Sequence, residues 1–233
     1  MTDTYVALDL ETTGLTPKRD RIIEIGAVKV ENGRETGTFT SLVNPGRALE
    51  ERIRMLTGIT DEMLAQAPEE DAVLPGLLSF IGDNILVGHR ILFDYSFVKK
   101  AAVNRNLVFE REGIDTLKLA RKFLPDLESR RLPDLCTYYG MAHTAHRAVN
   151  DAQAASRLYR KLTEIFYEGN EKEFLPQPLV FQVKKETPAT KSQKERLYKL
   201  TEQHRIMIDY SIDRLTKSEA SRITDQILAE YGR

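Results

Sequence analysis

The sequence predicts an α/β chain built on a mixed sheet, with a small helical module at its carboxyl end. Three observations carry this. Three strand-like segments run in series at the amino end, and the third returns through an Asn32-Gly33 hairpin turn, so they need not be parallel. Helical periodicity then dominates up to residue 166, interrupted by a buried-strand candidate at 84–88. Beyond that the composition changes. Residues 167–190 hold Pro176, Pro178, Pro188 and a charged Glu-Lys-Glu, and two more helical patterns follow. Strands first, then helices mixed with a strand, is the order of a layered α/β sandwich.

Each element has a local reason. Residues 4–10 are an apolar run that ends in acids and a Thr-Thr-Gly turn. Residues 22–33 alternate apolar and polar positions, and 36–43 form the returning strand. Thr60 caps a short helix over 60–66. Pro68 can start the next, which puts Val73, Leu74, Leu77, Leu78 and Ile81 on one face. Helices follow at 92–104, at 116–124 before Pro125, at 133–140 from Pro133 to Gly140, and at 149–166. The proline-rich stretch reads as a linker, with 179–183 as a candidate docking strand. The last two helices fall at 191–204 and 216–231, the second capped by Thr216 or Ser218. The expected organisation is a domain over 1–168, a linker over 169–190 and a helical module over 191–233.

Composition narrows the classes. With 41% hydrophobic and 30% charged residues the chain can bury a core, which excludes wholesale disorder. No apolar run approaches the ~20 residues of a membrane span, and the amino end lacks the pattern of a secretory signal. The single cysteine, Cys136, excludes an intramolecular disulfide and a multi-cysteine metal site, and suits a reducing, cytoplasmic setting. A net charge of −1 means that nucleic-acid binding must be local. Residues 184–233, with 11 basic and 8 acidic side chains, are basic relative to the rest.

The densest chemistry is near the amino end. Asp9 and Glu11 are two apart at the end of a strand, so both face one side. Either they are a solvated strand end, or they seat a hard divalent cation that removes their repulsion. Thr12, Thr13 and Gly14 then offer hydroxyls and backbone to a phosphate or sugar. Asp94 sits among Phe93, Tyr95 and Phe97, as a helix-start acid or as a carboxylate that wants a partner. Asp151 falls in the first turn of the 149–166 helix, with His146 on the loop before it. No Gly-x-x-x-x-Gly-Lys-Ser/Thr loop is present, so nucleoside-triphosphate hydrolysis has no support.

Together, Asp-Leu-Glu-Thr-Thr-Gly-Leu at 9–15, Val-Gly-His-Arg-Ile-Leu-Phe-Asp at 87–94 and His-Arg-Ala-Val-Asn-Asp at 146–151 resemble the three motifs of the DEDDh 3′–5′ exonucleases. Leu-Thr-Gly-Ile-Thr at 56–60 adds to the likeness, which covers about residues 4–166. The members most similar in appearance are the epsilon subunit of bacterial DNA polymerase III and the exonuclease domains of Gram-positive replicative polymerases. The resemblance implies a ribonuclease H-like fold, with a mixed five-stranded sheet flanked by helices. It implies Asp9, Glu11, Asp94 and Asp151 as ligands of two Mg²⁺ or Mn²⁺ ions, and His146 as general base. Thr12, Thr13, Gly14, Leu15, His89, Arg90 and Phe93 become candidate substrate contacts. His89 has a packed strand-end alternative, Leu15 a structural one, and Phe93 and Phe97 a core one. Arg90 departs from the family, which usually carries Asn there.

The implied activity is hydrolysis of terminal phosphodiesters of DNA, at single-stranded or frayed 3′ ends, releasing nucleoside 5′-monophosphates in proofreading or repair. RNA trimming by the same architecture is the alternative, as is a non-catalytic adaptor for nucleic acid or a polymerase. The expected partners are nucleic acid, DNA before RNA, and a DNA polymerase or other replication or repair protein, with no membrane. Asp115 is read as an indirect helper, Cys136 as a core residue, and His143 and His204 as residues without an evident partner. The short 191–233 module resembles a helical element appended to various bacterial and phage proteins. Its Lys191, Lys194, Arg196 and Lys199 are either a grip for nucleic acid or protein, or a solvated face paired with Glu195 and Glu202.

Overall fold

The structure, a computed structural model, describes residues 2–144, 147–208 and 210–232. Six strands form one mixed sheet. They are β1 (Tyr5–Thr12), β2 (Ile22–Glu31), β3 (Arg34–Leu42), β4 (Leu86–Gly88), β5 (Glu112–Asp115) and β6 (Gln177–Pro178), in the order β3-β2-β1-β4-β5-β6. The first three are antiparallel, β4 and β5 run parallel to β1, and β6 is antiparallel again. Asn32 and Gly33 both have positive φ, 51° and 73°, as a two-residue hairpin turn matched to strand twist requires.

Period-two alternation sorts β1 between two cores. Val6, Leu8 and Leu10 face α3 (Glu70–Ile81) and α4 (Leu92–Asn104). Tyr5 and Ala7 face the other way, toward α5 (Thr116–Phe123), α6 (Leu132–Tyr138) and α7 (Ala148–Phe166). Asp9 and Glu11 continue this second face, which points them at the start of α7.

Two short helices precede these, α1 (Glu51–Thr57) and α2 (Asp61–Ala65), the latter capped by Thr60 as expected. The spacing did not predict α1. Only Ile53 and Thr57 are buried while Met55 and Leu56 are exposed, so there is no apolar stripe to read. Helix α3 begins at Glu70, because Pro68 lies two residues outside it and its carbonyl accepts the Asn44 N–H.

The stretch expected to link the two parts is docked along much of its length. Phe174 is buried against Phe123 and Tyr167. Pairing to β5 falls at Gln177 and Pro178, earlier than the expected 179–183. It adds a sixth strand to the expected five, and Leu179 and Phe181 pack on the α3–α4 core. The module holds α8 (Lys191–Gln203) and α9 (Lys217–Tyr231), each opened by a capping box, from Thr190 and Thr216. Leu197, Leu200, Ile212, Leu215, Ala220 and Ile227 form its own core. Lys194 bonds Asp213 and Lys191 lies 3.9 Å from Glu195, so part of the basic stripe is engaged within the module. Among the described residues no helix is long and apolar enough to cross a membrane.

Candidate active site

The site forms where β1, β2, α4 and α7 converge. Asp9 and Glu11 on β1 meet Asp151 in the first turn of α7, and one carboxylate oxygen from each lies within 4.8 Å of the others. The close approach depends on Gly26, which stands opposite Asp9 on β2. A Cβ at Gly26 would lie 2.0 Å from the Val149 nitrogen, so only glycine lets the helix start come this near the sheet.

Asp94, in the first turn of α4, reaches the same place from the other core. Strand β4 pairs with β1 only at Val6 and Ala7, and beyond its end the Asp94 carboxylate accepts the Leu10 N–H at 3.0 Å. It thus satisfies a backbone donor that no strand covers.

Burial and mutual repulsion raise the pKa of Asp9, Glu11 and Asp94. Burial pushes Asp9 well above the ordinary carboxylate range, and the charges of Asp94, Asp151, Glu11 and Glu24 add to it. Glu11 is pushed up to about 7 by burial and by Asp151 and Glu24. Asp94 is also raised well above its usual value, mainly by burial and against two backbone hydrogen bonds. Among the described residues neither Asp9 nor Glu11 is met by a cation or a hydrogen-bond donor. Hard oxygen donors converging on one point fit a divalent cation, and Asp9, Glu11 and Asp151 are the residues that can hold it.

Asp151 itself is held. His143 Nε2 lies 2.8 Å from its Oδ1, and the Arg147 N–H donates to its Oδ2 at 3.2 Å. The sequence left His143 without a partner, because the contact joins it to the first turn of α7 only once the chain is folded. His146, the expected general base, lies outside the described residues.

Glu24 is a second residue the sequence did not single out. It stands opposite Glu11 and is fully buried. Its carboxylate accepts Arg147 Nε at 2.9 Å and the Ala148 N–H at 3.0 Å, so it clamps the start of α7. In an alternating strand it reads as one more polar position. Only its zero exposure marks it as different.

The expected substrate contacts divide. Leu15 is 71% exposed at the tip of the loop after β1. The Thr12 hydroxyl donates to the Gly14 carbonyl at 2.6 Å, and the Thr13 hydroxyl accepts Arg47 Nη2 at 2.7 Å. Both hydroxyls therefore shape the loop, and Leu15 is left exposed. Both ring nitrogens of His89 are engaged, by the Thr116 hydroxyl at 2.9 Å and the Arg130 carbonyl at 2.8 Å. A polar contact from His89 to substrate would have to break one of these. Arg90 is exposed, has φ 74°, and lies over the half-buried Phe93 ring at 5.7 Å. Asp115 accepts the Arg90 and Leu117 N–H groups, each at 2.9 Å, which ties the turn after β4 to the start of α5.

Comparison with known proteins agrees with this arrangement. A family model described as Exonuclease matches residues 6–159. The chain is 40% identical over 163 residues to the DNA polymerase III subunit epsilon of Aquifex aeolicus, covering 69% of this chain and 81% of that one. It is 38% identical over 159 residues to the PolC-type DNA polymerase III of Clostridium perfringens, but spans only 11% of that much longer protein. Among solved structures, exonuclease X in complex with 5′ overhanging duplex DNA is 25% identical, with a TM-score of 0.56 over 70% of this chain and 92% of that one. The nuclease domain of 3′hExo, a DEDDh family member, shares the fold at 20% identity, with a TM-score of 0.61 over 75% of this chain and 96% of that domain. With about two thirds of its length matched by that family model, and a relative 40% identical over most of that relative's length, the chain belongs to the exonuclease family.

Proposed function

We propose that this exonuclease removes nucleotides one at a time from DNA 3′ ends, with Asp9, Glu11, Asp94 and Asp151 as metal ligands and His146 as general base. The observation that carries the reading is the convergence of Asp9 and Glu11 from β1 with Asp151 from α7, beside the buried Asp94. The DNA polymerase names of the relatives and the DNA in the exonuclease X complex support DNA as the substrate.

Two Mg²⁺ or Mn²⁺ ions, when bound, supply Lewis-acid stabilisation of the phosphoryl oxygens and an acidified water. The chain does the rest. Glu24 and Arg147 fix the start of α7, so that Asp151 faces Asp9 and Glu11. His146, two residues before Ala148 in the sequence, accepts the proton of the attacking water; an imidazole with an ordinary pKa near 6.5 suits that task at neutral pH. Water adds to the terminal phosphorus, the bond to the 3′ oxygen of the preceding nucleotide breaks, and a nucleoside 5′-monophosphate leaves. The loop of residues 13–20 receives the terminal nucleotide, with Leu15 against its base or sugar. A DNA polymerase or a repair protein is the partner that fits such an activity, and the cytoplasm its setting.

The test is a time course on 5′-labelled single-stranded DNA beside its RNA counterpart, in Mg²⁺, Mn²⁺ or EDTA. A metal-dependent ladder shortening from the 3′ end, faster on DNA, is expected. In the same assay Asp94→Asn should lose on the order of 10²-fold or more in rate while keeping the fold. An intact label in every lane with folded protein would overturn the reading, and a faster RNA ladder would replace DNA with RNA as the substrate.

A further inference from the structure

The family match ends at residue 159, so the C-terminal module lies outside it. Yet the module is bonded to the loop that follows the first catalytic motif. That loop is closed at its base by Arg21, whose N–H donates to the Thr13 hydroxyl at 3.0 Å and whose carbonyl accepts the Thr13 N–H at 2.9 Å. Arg47 reinforces the closure by donating to the Thr13 hydroxyl and to the Arg19 carbonyl at 2.8 Å. Within the loop the Asp20 carboxylate accepts the Thr16 N–H at 2.8 Å.

Both closing arginines lean on the module. Glu219 Oε1 lies 2.5 Å from Arg21 Nη2, and the two side chains are only 9% and 23% exposed. The other oxygen of Glu219 accepts the Thr216 N–H and hydroxyl, each at 2.9 Å, so the capping box of α9 aims the carboxylate at Arg21. Burial pushes the Glu219 carboxyl up, but Arg21 and Thr216 outweigh that and hold it below its ordinary range. Arg47 forms an isolated antiparallel bridge with Tyr210 in the module. From the opposite side the buried Lys100 donates to the Pro17 carbonyl at 2.6 Å and lies 3.2 Å from Glu186, on the strap that leads into the module.

We propose that the C-terminal module braces the loop of residues 13–20, with Glu219 and Arg21 as positioning residues, and thereby sets the affinity of the site for a nucleic-acid 3′ end. A charge-assisted bond between two partly desolvated groups holds geometry better than a surface pair, and here it ends on the residue that closes the loop. The consequence for affinity rests on the proposed reading that Thr13, Gly14 and Leu15 meet the terminal nucleotide. The brace itself does not.

The test uses the full chain with Glu219→Gln. Glutamine keeps the capping box but removes the charge that Arg21 needs. KM for a single-stranded oligonucleotide should rise roughly fivefold with kcat unchanged, the pattern of lost ground-state binding. Amide hydrogen exchange over residues 13–20, followed without substrate, should quicken roughly tenfold. Arg214→Ala serves as the control, since it cuts a separate ion pair between module and domain, the 2.7 Å contact to Glu69, without touching the loop. It should change neither readout. Unchanged exchange in Glu219→Gln would overturn the brace, as would an equal effect of Arg214→Ala. Faster exchange with an unchanged KM would overturn the substrate reading of the loop, and with it the claim on affinity.

Discussion

Glu11 and Glu24 face each other across the β1–β2 ladder, a like-charge pair that ordinarily destabilises a sheet. Among the described residues only Glu24 of the two has a cationic partner, Arg147. Glu11 is left with a pKa of about 7, well above its ordinary value. Because the folded state holds that proton more tightly than the unfolded chain, Glu11 adds stability at pH 4 that drains away as the pH climbs toward 7. In EDTA the protein should therefore lose up to about 3 kcal/mol between pH 4.5 and 7.5 from this group. Mg²⁺ should restore more at pH 7.5 than at pH 5, since a cation replaces the proton. Urea unfolding at the two pH values, with and without Mg²⁺, measures this; equal Mg²⁺ effects at both would contradict it. Arg90 offers a second residue-scale prediction. Its φ of 74° lies in the left-handed region, which Asn tolerates better than Arg. Arg90→Asn should raise stability by several tenths to about 1 kcal/mol, read as a higher urea midpoint at constant slope.

One face of β2 is shaped to receive one helix end, and this is the element on which the site depends. Gly26 leaves room for Ala148 and Val149, and two residues away Glu24 binds Arg147 and Ala148. Gly26→Ala would place a methyl carbon against helix backbone and should cost about 2–4 kcal/mol, because the α7 start must move. Its Mg²⁺ affinity should fall with the displacement of Asp151, and calorimetric titration of Mg²⁺ would show it; an unchanged affinity would mean that the helix start is not what seats Asp151. Much of this architecture is legible in the sequence. Asn32-Gly33, the apolar stripe of α3, and the capped starts of α2 and α9 each carry a local signal that the structure reproduces. What escaped has no local signal. Helix α1 buries too little to show a period, and β5 is four residues long. Strand β6 contains a proline that only an edge position tolerates. The contacts of Glu24 and His143 join residues set together by the fold, so neither could be told from a polar strand position or a loop histidine.

Across the whole molecule, the sheet is sandwiched between two large cores, while the module closes over a small one of its own. A core of that size holds a short helical pair only weakly by itself. Its attachment to the exonuclease domain includes two ion pairs, Arg21–Glu219 largely buried and Arg214–Glu69 exposed, the Arg47–Tyr210 bridge and the strap at Glu186. Exposed pairs contribute little and are screened by salt, whereas the acidic cluster of Asp9, Glu11 and Asp151 lies wholly in the larger unit. Heating should therefore give two transitions in differential scanning calorimetry. The lower, from the module, should fall by a few degrees as salt screens the contacts. The upper should rise by roughly 5–10 °C at an Mg²⁺ concentration about 100 times its dissociation constant, since a ligand that binds only the folded unit stabilises that unit. A single transition carried upward as a whole by Mg²⁺ would instead make module and domain one cooperative body, and the bonds that Glu219 and Glu186 make to it would then be strong enough to join two cores into one folding unit.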